Sequence, residues 1–304
     1  MRHIKESIDQ VKNQDVSALP FGLEFLDDYL GGLYPGEMTV ICGDADDGKT
    51  ALMIRQIHRL AFDEEIPVLM VLNGMSEHTF LACMAAYYCS IITNDVHQVY
   101  TNRDSKEKVE AYWHLLEKKP VYLADTKGIS AMDSDSIKQF VSAKGIKAVF
   151  FEQASMMTIK GWKISRLGYY LKQLAKELQV AIVAEYEFWY NDYEQPLSFQ
   201  QFEKNHFSNF ADNIIGLLDF ANHQVFMDEK GNNLRGYVRM KVIKHKGIIS
   251  SGKERVFHKM RLMCRSDERA TLYEDKMASK DGMKTFMGGL NSEEIPSAEK
   301  SNLF

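Results

Sequence analysis

Long apolar runs are missing from this 304-residue chain. The longest stretch without a formal charge, His78–Asn94, is interrupted by His, Thr, Ser and Asn. It therefore falls short of the ~20 mostly apolar residues that a membrane-spanning helix needs. The N-terminal MRHIKESIDQ is polar where a secretory signal requires an apolar core. These absences exclude a membrane protein and an exported one at the sequence level, and we expect a cytoplasmic protein with no membrane partner.

Cysteines are few, and their spacing matches neither a zinc site nor a disulfide framework. Cys42, Cys83, Cys89 and Cys264 form no CxxC pair. Reduced and mostly buried thiols are the expected state of such cysteines.

An excess of basic residues is also lacking. Lys and Arg total 37 against 42 Asp and Glu, for a net charge of -5, so the whole chain lacks the footprint of a protein that coats nucleic acid. On charge alone we would predict a metabolic enzyme. The distribution is uneven, however, because residues 233–265 hold ten Lys or Arg against the single acid Glu254. The charge of that segment is compatible with a local surface that faces phosphate groups.

Apolar runs of strand length alternate with longer helix-like segments, which predicts an α/β fold with a mostly parallel central sheet flanked by helices. The predicted strands are Met38–Cys42, Val68–Leu72, Val121–Ala124, Ala148–Phe151, Ala181–Ala184, Ile214–Phe220, Gly236–Ile243 and a hairpin partner near Arg255–Cys264. The predicted helices are Thr50–Phe62, Glu77–Ile91, Lys106–Lys118, Asp133–Ala143 and Ser165–Leu178. A long functional loop is expected after Ala184, where the composition of the sequence becomes aromatic and polar.

The strongest motif is GDADDGKT at Gly43–Thr50, which fits the pattern G-x-x-x-x-G-K-S/T. In such a loop backbone N–H groups wrap phosphates, the lysine reaches the outer phosphates, and the hydroxyl can ligate magnesium. The loop follows a strand and opens a helix, which places a helix N-terminus at the anion. The residues predicted to bind the phosphates are Gly43, Asp44, Ala45, Asp46, Asp47, Gly48, Lys49, Thr50 and Ala51.

Three carboxylates beside a polyanion are unusual for such a loop. Each like-charge contact at about 4 Å costs on the order of 1 kcal/mol in water. Asp44, Asp46 and Asp47 are therefore expected to weaken binding unless they point outward or help to hold the metal.

The segment before this loop, FGLEFLDDYLGGLYPGEMTVICG, resembles the entry to the motor domain of DnaB-type replicative helicases. That family carries the lead-in G-x-x-x-L-D-x-x-x-G-G-L-x-P-G. The matching residues here are Gly22, Leu26, Asp27, Gly31, Gly32, Leu33, Pro35 and Gly36. The resemblance continues through Pro120–Ser130, Ile164–Glu187, QPLSFQQF with the later Ala211–Asp212 pair, and Val242–Gly247, in unbroken order. It predicts a RecA-like P-loop domain over 17–265, preceded by a short extension (1–16) in place of the family's primase-docking domain. Residues 266–304, polar and weakly periodic, are expected to form a disordered tail.

The resemblance implies a homo-oligomeric ring, usually hexameric, with ATP and Mg²⁺ between subunits and single-stranded DNA in the central channel. A helicase loader or a primase is the further partner that it suggests. The loop after the Ala148–Phe151 strand is where the family contacts DNA, which makes Lys160, Trp162 and Lys163 candidates.

Several catalytic positions depart from the family pattern. Gly74 occupies the place of the glutamate that activates the attacking water, and a glycine cannot act as a base. Glu152 stands where an aspartate orients the metal's water shell. The sensor position is Glu187, a candidate substitute base, and the pair offered to the neighbour's γ-phosphate is Lys244 and Lys246, where lysine lacks arginine's planar fork.

These departures leave two functions open. The first is an ATP-dependent DNA helicase or translocase acting in replication. The second is a degenerate ATP-binding ring or regulatory subunit that hydrolyses little ATP and uses it as a structural switch, as the loss of a general base, typically worth about 10²–10⁴ in rate, would permit. A RecA- or KaiC-like ATPase acting on protein is disfavoured by the lead-in and by QPLSFQQF.

Overall fold

One mixed sheet organises the molecule. The computed structural model describes residues 4–5, 17–91, 98–101, 103–125, 134–157, 166–187, 206–228, 231–249, 253–258 and 265. Within these residues the strands are β1 (Met38–Gly43), β2 (Val68–Leu72), β3 (Val121–Asp125), β4 (Ala148–Phe151), β5 (Ala181–Glu187), β6 (Asn213–Asp219), β7 (Tyr237–His245), β8 (Ile248–Ile249) and β9 (Glu254–His258). Their spatial order is β3-β2-β4-β5-β1-β6-β7-β8, with β9 also paired to β7.

The sheet changes direction at one edge. The strands from β3 to β6 in spatial order pair in parallel, whereas β7 runs antiparallel to β6, β8 and β9. Parallel strands need crossover connections, which is why long helices separate β1 to β5 along the chain. The predicted α/β fold with a mostly parallel sheet is confirmed.

Helices cover both faces of the sheet. Those described are α1 (Glu24–Leu30), α2 (Lys49–His58), α3 (Glu77–Cys89), α4 (Gln98–Thr101), α5 (Arg103–Leu116), α6 (Ser134–Lys144), α7 (Leu167–Leu178) and α8 (His206–Phe210). Alternate strand residues point to opposite faces, so Ile41 and Met70 join the core under α1, α2 and α3. Val40 and Val71 join the core under α6 and α7. Among the described helices none is long and apolar enough to cross a bilayer.

Two predicted boundaries require correction. The strand expected to stop at Ala184 continues to Glu187, because Glu185 and Glu187 pair with Ile41 and Gly43 of β1. The predicted long loop therefore cannot begin at Glu185, and its residues 188–205 lie outside the described part of the chain. The helix expected over Thr50–Phe62 is α-helical to His58 and then widens into a π-helical turn, Arg59–Asp63.

Candidate functional site

The GDADDGKT loop joins the end of β1 to the start of α2. Gly48 has φ 92°, a left-handed conformation that L side chains rarely adopt, and α2 begins at the next residue. A Cβ atom added at Gly43 would lie 2.9 Å from the carbonyl oxygen of Leu217. Both glycines are thus required by the path of the backbone, and the path brings the N-terminus of α2 to the carboxyl edge of the sheet.

Lys49 and Thr50 meet one buried carboxylate. The Lys49 ammonium donates to the carbonyl oxygen of Asp44 at 2.6 Å and lies 3.8 Å from Glu185 Oε1. The Thr50 hydroxyl donates to the same carboxylate, 3.3 Å from Oε2. Lys49 and Glu185 are only 3% and 4% exposed, so this pair is shielded from water, while Thr50 is half-buried.

Burial governs the charge state of Glu185. It raises the pKa of that carboxyl to about 7, although the Lys49 ammonium opposes the shift and the nearby Glu152 adds to it. A carboxyl group with a pKa in this range can exchange a proton near neutral pH. The resemblance gave the sensor role to Glu187, two residues further along the chain.

Asp47 points into the protein and ties the loop to the turn after β6. It is fully buried, and its carboxylate accepts hydrogen bonds from the backbone N–H groups of Asp44 and Asp219 at 2.9 and 3.0 Å. The His223 ring nitrogen lies 2.9 Å from Oδ1, and the Asn222 amide donates to the same oxygen at 3.1 Å. The carboxylate is therefore turned away from the phosphate side and its repulsion toward an anion is reduced.

The other loop residues are more open. Ala45 and Asp46 are exposed, and Asp44 and Ala51 are half-buried. The Asp44 carboxylate accepts from the N–H of Ala45 at 2.8 Å.

Glu152 supports the loop that follows β2. Its Oε2 accepts from the backbone N–H groups of Asn73, Gly74 and Met75 at 2.8, 2.7 and 3.3 Å. Glu152 is 2% exposed. The acid predicted to orient the metal's water shell thus uses one oxygen to hold the backbone around Gly74.

Glu187 ends β5 beside Gly43 in the strand register. Its backbone N–H donates to the Ser155 hydroxyl at 3.4 Å, and the residue is half-buried. The carboxylate that contacts Lys49 and Thr50 belongs to Glu185, two residues earlier on the same face of the strand.

The two lysines predicted to reach a neighbouring subunit differ sharply. Lys244 is buried and donates to the Ser208 carbonyl oxygen at 2.8 Å, and burial lowers the pKa of its ammonium. The contact with a neighbouring subunit that the resemblance implies for Lys244 stays a prediction. Lys246 is exposed at the turn between β7 and β8, with its ammonium 4.6 Å from the centre of the Tyr34 ring. The candidate DNA-contacting residues Lys160, Trp162 and Lys163 lie outside the described residues.

The donor set fits a nucleotide phosphate group with magnesium. The helix N-terminus, the loop N–H groups and the Lys49 ammonium supply positive charge at a loop whose backbone path needs glycine at positions 43 and 48. Thr50, Glu185 and Glu152 supply hard oxygen atoms. Among the described residues no group of three or more His, Cys, Asp or Glu side chains is arranged to hold a metal alone. This suits Mg²⁺, which is usually held by few protein ligands together with substrate phosphates.

Sequence reasoning missed the partners that only the fold brings together. Asp47 and His223 are 176 positions apart, and nothing in the local sequence of either residue points to the other. Gln153 follows Glu152 and lies against Gly74, a contact between two strand ends that the sequence could not register. For Glu185 a signal existed, since the two-residue period of a strand places it on the same face as Glu187.

Comparison with protein families gives one match over a large part of the chain. Residues 18–187 match the DnaB-like helicase C terminal domain. The replicative DNA helicase DnaB of Leifsonia xyli subsp. xyli is 20% identical over 188 residues, which cover 59% of this chain and 41% of that protein. The corresponding helicase of Buchnera aphidicola subsp. Schizaphis graminum is 23% identical over 181 residues, covering 57% of this chain and 39% of that protein. The matched region thus spans about two fifths of the length of these curated relatives.

Two solved structures share the fold. The first, an ATPase domain, superposes with a TM-score of 0.69 at 14% identity, covering 85% of this chain and 95% of that one. The second, a DnaB-like replicative helicase solved in a study of its interactions with primase, gives 0.63 at 16% identity over 84% of this chain and 62% of that one.

Proposed function

The chain belongs to the DnaB-like helicase C-terminal domain family, and we propose on this basis that it is an ATP-dependent motor acting on single-stranded DNA in replication. The observation that carries the proposal is the placement of Lys49 and Thr50 at the N-terminus of α2, against the buried Glu185 at the carboxyl edge of the sheet. Open parallel sheets bind ligands at this edge.

The phosphates are held by the loop Gly43–Thr50. Its backbone N–H groups and the Lys49 ammonium bind the phosphate oxygens. The buried Asp47 carboxylate holds the loop in place from the protein interior. Thr50 would supply a hydroxyl ligand to Mg²⁺, and Glu152 and Glu185 would lie near the water shell of the ion. When bound, the ion would neutralise charge on the phosphate oxygens.

Hydrolysis is proposed to be slow. Gly74 offers no base, and the acids considered in its place are Glu152, Glu185 and Glu187. Glu152 is engaged with the backbone of the 73–75 loop. Glu187 stays a proposed γ-phosphate sensor, and Glu185, which contacts Lys49 and Thr50, is the better placed carboxylate to accept a proton.

A ring of identical subunits, hexameric as in the family pattern, completes the proposal. Lys246 is exposed on the β7–β8 turn and supplies the contact to the neighbour's nucleotide. Lys160, Trp162 and Lys163 are proposed to contact DNA. A helicase loader or a primase is the proposed further partner, since one structurally similar helicase was solved in a study of its interactions with primase.

The alternative, an ATP-binding ring that acts as a switch, is favoured by one observation. The backbone around Gly74 is fixed by Glu152 and presents no side chain of its own to a water molecule. The two functions agree on nucleotide binding and differ in turnover.

A steady-state ATPase assay with and without single-stranded DNA separates them. The motor predicts measurable hydrolysis that rises with DNA and disappears in Lys49→Ala, while the exposed control Lys118→Ala keeps the wild-type rate. Glu185→Gln and Glu187→Gln, compared in the same assay, identify the acid that hydrolysis needs. ATP binding with no turnover above the Lys49→Ala background, with or without DNA, would establish the switch.

A further inference from the structure

The space beside Gly74 is filled by the side chain of Gln153. A Cβ atom added at Gly74 would lie 2.6 Å from Cδ and 2.9 Å from Nε2 of Gln153. The amide thus sits where the first atoms of a residue-74 side chain would be. The 73–75 loop and Gln153, the second residue after β4, are complementary in shape at this one point.

The backbone of Gln153 holds its amide at the edge of the phosphate site. The residue has φ 44° and ψ 44°, in the left-handed region, at the sharp turn after β4. Its N–H donates to the Glu185 carboxylate, and its carbonyl oxygen accepts from the Asn73 amide at 3.4 Å. Glu185 in turn contacts Lys49 and Thr50, so one residue separates Gln153 from the loop that holds the phosphates.

A glutamine amide both donates and accepts hydrogen bonds but does not take up a proton. In well-studied GTPases a glutamine side chain orients the water that attacks the γ-phosphate. Hydrolysis forms a bond from the water oxygen to the γ-phosphorus and breaks the bond to ADP, which leaves with the electron pair. The protons of the water end on the released phosphate. Such a reaction needs the water to be oriented, which an amide can do, and this role is separate from the proton acceptance proposed for Glu185.

We propose that Gln153 positions the attacking water for ATP hydrolysis, from the place left open by the glycine at position 74. This inference rests on the proposed function, because it assigns a residue to the hydrolytic step. It accounts for the slow turnover proposed for a chain without a side chain at position 74, and it assigns that turnover to a residue in the turn after β4.

The test compares Gln153→Ala with Gln153→Asn. Asparagine tolerates left-handed backbone better than most residues, so Gln153→Asn keeps the turn and the amide but shortens its reach by one methylene. We expect both variants to lower single-turnover hydrolysis at saturating ATP by about 100- to 1,000-fold, as loss of one positioned polar group at a reaction centre does. Affinity for a fluorescent ADP analogue should stay within about twofold, and affinity for ADP with aluminium fluoride, a mimic of the transferring phosphate, should fall with the rate.

Gly74→Ala gives an independent arm. Its methyl group must push the Gln153 amide aside, so turnover falls, and adding Gln153→Ala to it should cause little further loss. If the losses of turnover caused by Gly74→Ala and Gln153→Ala multiply in the double variant, the proposal is overturned. The proposal is also overturned if Gln153→Ala and Gln153→Asn hydrolyse ATP at the wild-type rate and bind ADP with aluminium fluoride with wild-type affinity. If wild-type turnover does not exceed the Lys49→Ala background, the proposed function fails and this inference fails with it.

Discussion

The two halves of the site differ in how they use their carboxylates. In the phosphate half, Gly43–Thr50 with Glu185, one acid is turned inward to fix the loop and another faces the lysine and the hydroxyl. The water half consists of the 73–75 loop with Glu152 and Gln153. There the Glu152 carboxylate accepts hydrogen bonds from backbone N–H groups, and the Gln153 amide fills the place that a side chain at position 74 would take. The proposed function uses the first half for binding and the second for hydrolysis, so binding and turnover are expected to respond to different residues.

The largest effect is expected from Glu152→Ala in the water half. Three backbone N–H groups lose a charged acceptor, and each such hydrogen bond contributes about 1.5–3 kcal/mol when buried. The contribution of each bond is smaller here because the loop is partly exposed. We expect the free energy of unfolding to fall by about 2–4 kcal/mol in urea titrations. Glu152→Gln keeps an acceptor oxygen and should lose less than half as much. Equal losses in both variants would show that the charge, and not the acceptor geometry, holds the loop.

His223→Ala tests the anchor of the phosphate half. It leaves the buried Asp47 carboxylate without its ring partner, which should cost about 1–3 kcal/mol of unfolding free energy. Asn222→Ala removes a partner of the same oxygen from an exposed residue and should cost under about 1 kcal/mol.

The comparison of halves adds a second readout to this variant. His223→Ala should weaken binding of a fluorescent ATP analogue, whereas Gln153→Ala should lower turnover and leave that affinity within about twofold. The opposite pattern would break the division into halves.

The smallest effect at neutral pH concerns the far end of α2. Burial and the Arg265 charge lower the pKa of His58 to about 3, where Phe62, Tyr88 and Tyr112 surround its ring. The unfolded chain, with a histidine pKa near 6.5, binds this proton more readily. Stability is therefore full above pH 6.5 and is lost as the pH falls toward 3, by about 2 kcal/mol at pH 5.

His58→Phe should remove this part of the acid sensitivity. The difference in unfolding free energy between pH 7.5 and pH 5.0 is expected to shrink by about 2 kcal/mol relative to the wild type. An unchanged difference would mean that His58 is not held neutral by its surroundings.

The sheet and the phosphate loop could be predicted because their signals are local. Buried runs such as Val68–Leu72 and Ala148–Phe151 mark strands without reference to the rest of the chain, and the GDADDGKT spacing carries its own chemistry. Family resemblance located Gly74 and Glu152. It could not show that Lys244 is buried, because a run of lysines and a histidine carries no record of which side chain faces the core.

Contacts between distant segments escaped prediction for the same physical reason. The pairing of Asp47 with His223 and the packing of Gln153 on Gly74 depend on which strand ends meet, and that is fixed by the sheet order. The choice of Glu185 over Glu187 as the acid that contacts Lys49 depends on a strand that runs three residues further than expected.

A single-turnover experiment with excess protein and labelled ATP tests the central claim most directly, because it separates binding from the chemical step. We predict saturable binding that Lys49→Ala weakens by about 10- to 100-fold. The chemical step should be at least about 100-fold slower than the ~10 s⁻¹ of a median enzyme, that is below about 0.1 s⁻¹, yet above the Lys49→Ala background. A chemical step near 10 s⁻¹, or one no faster than in Lys49→Ala, would contradict the account.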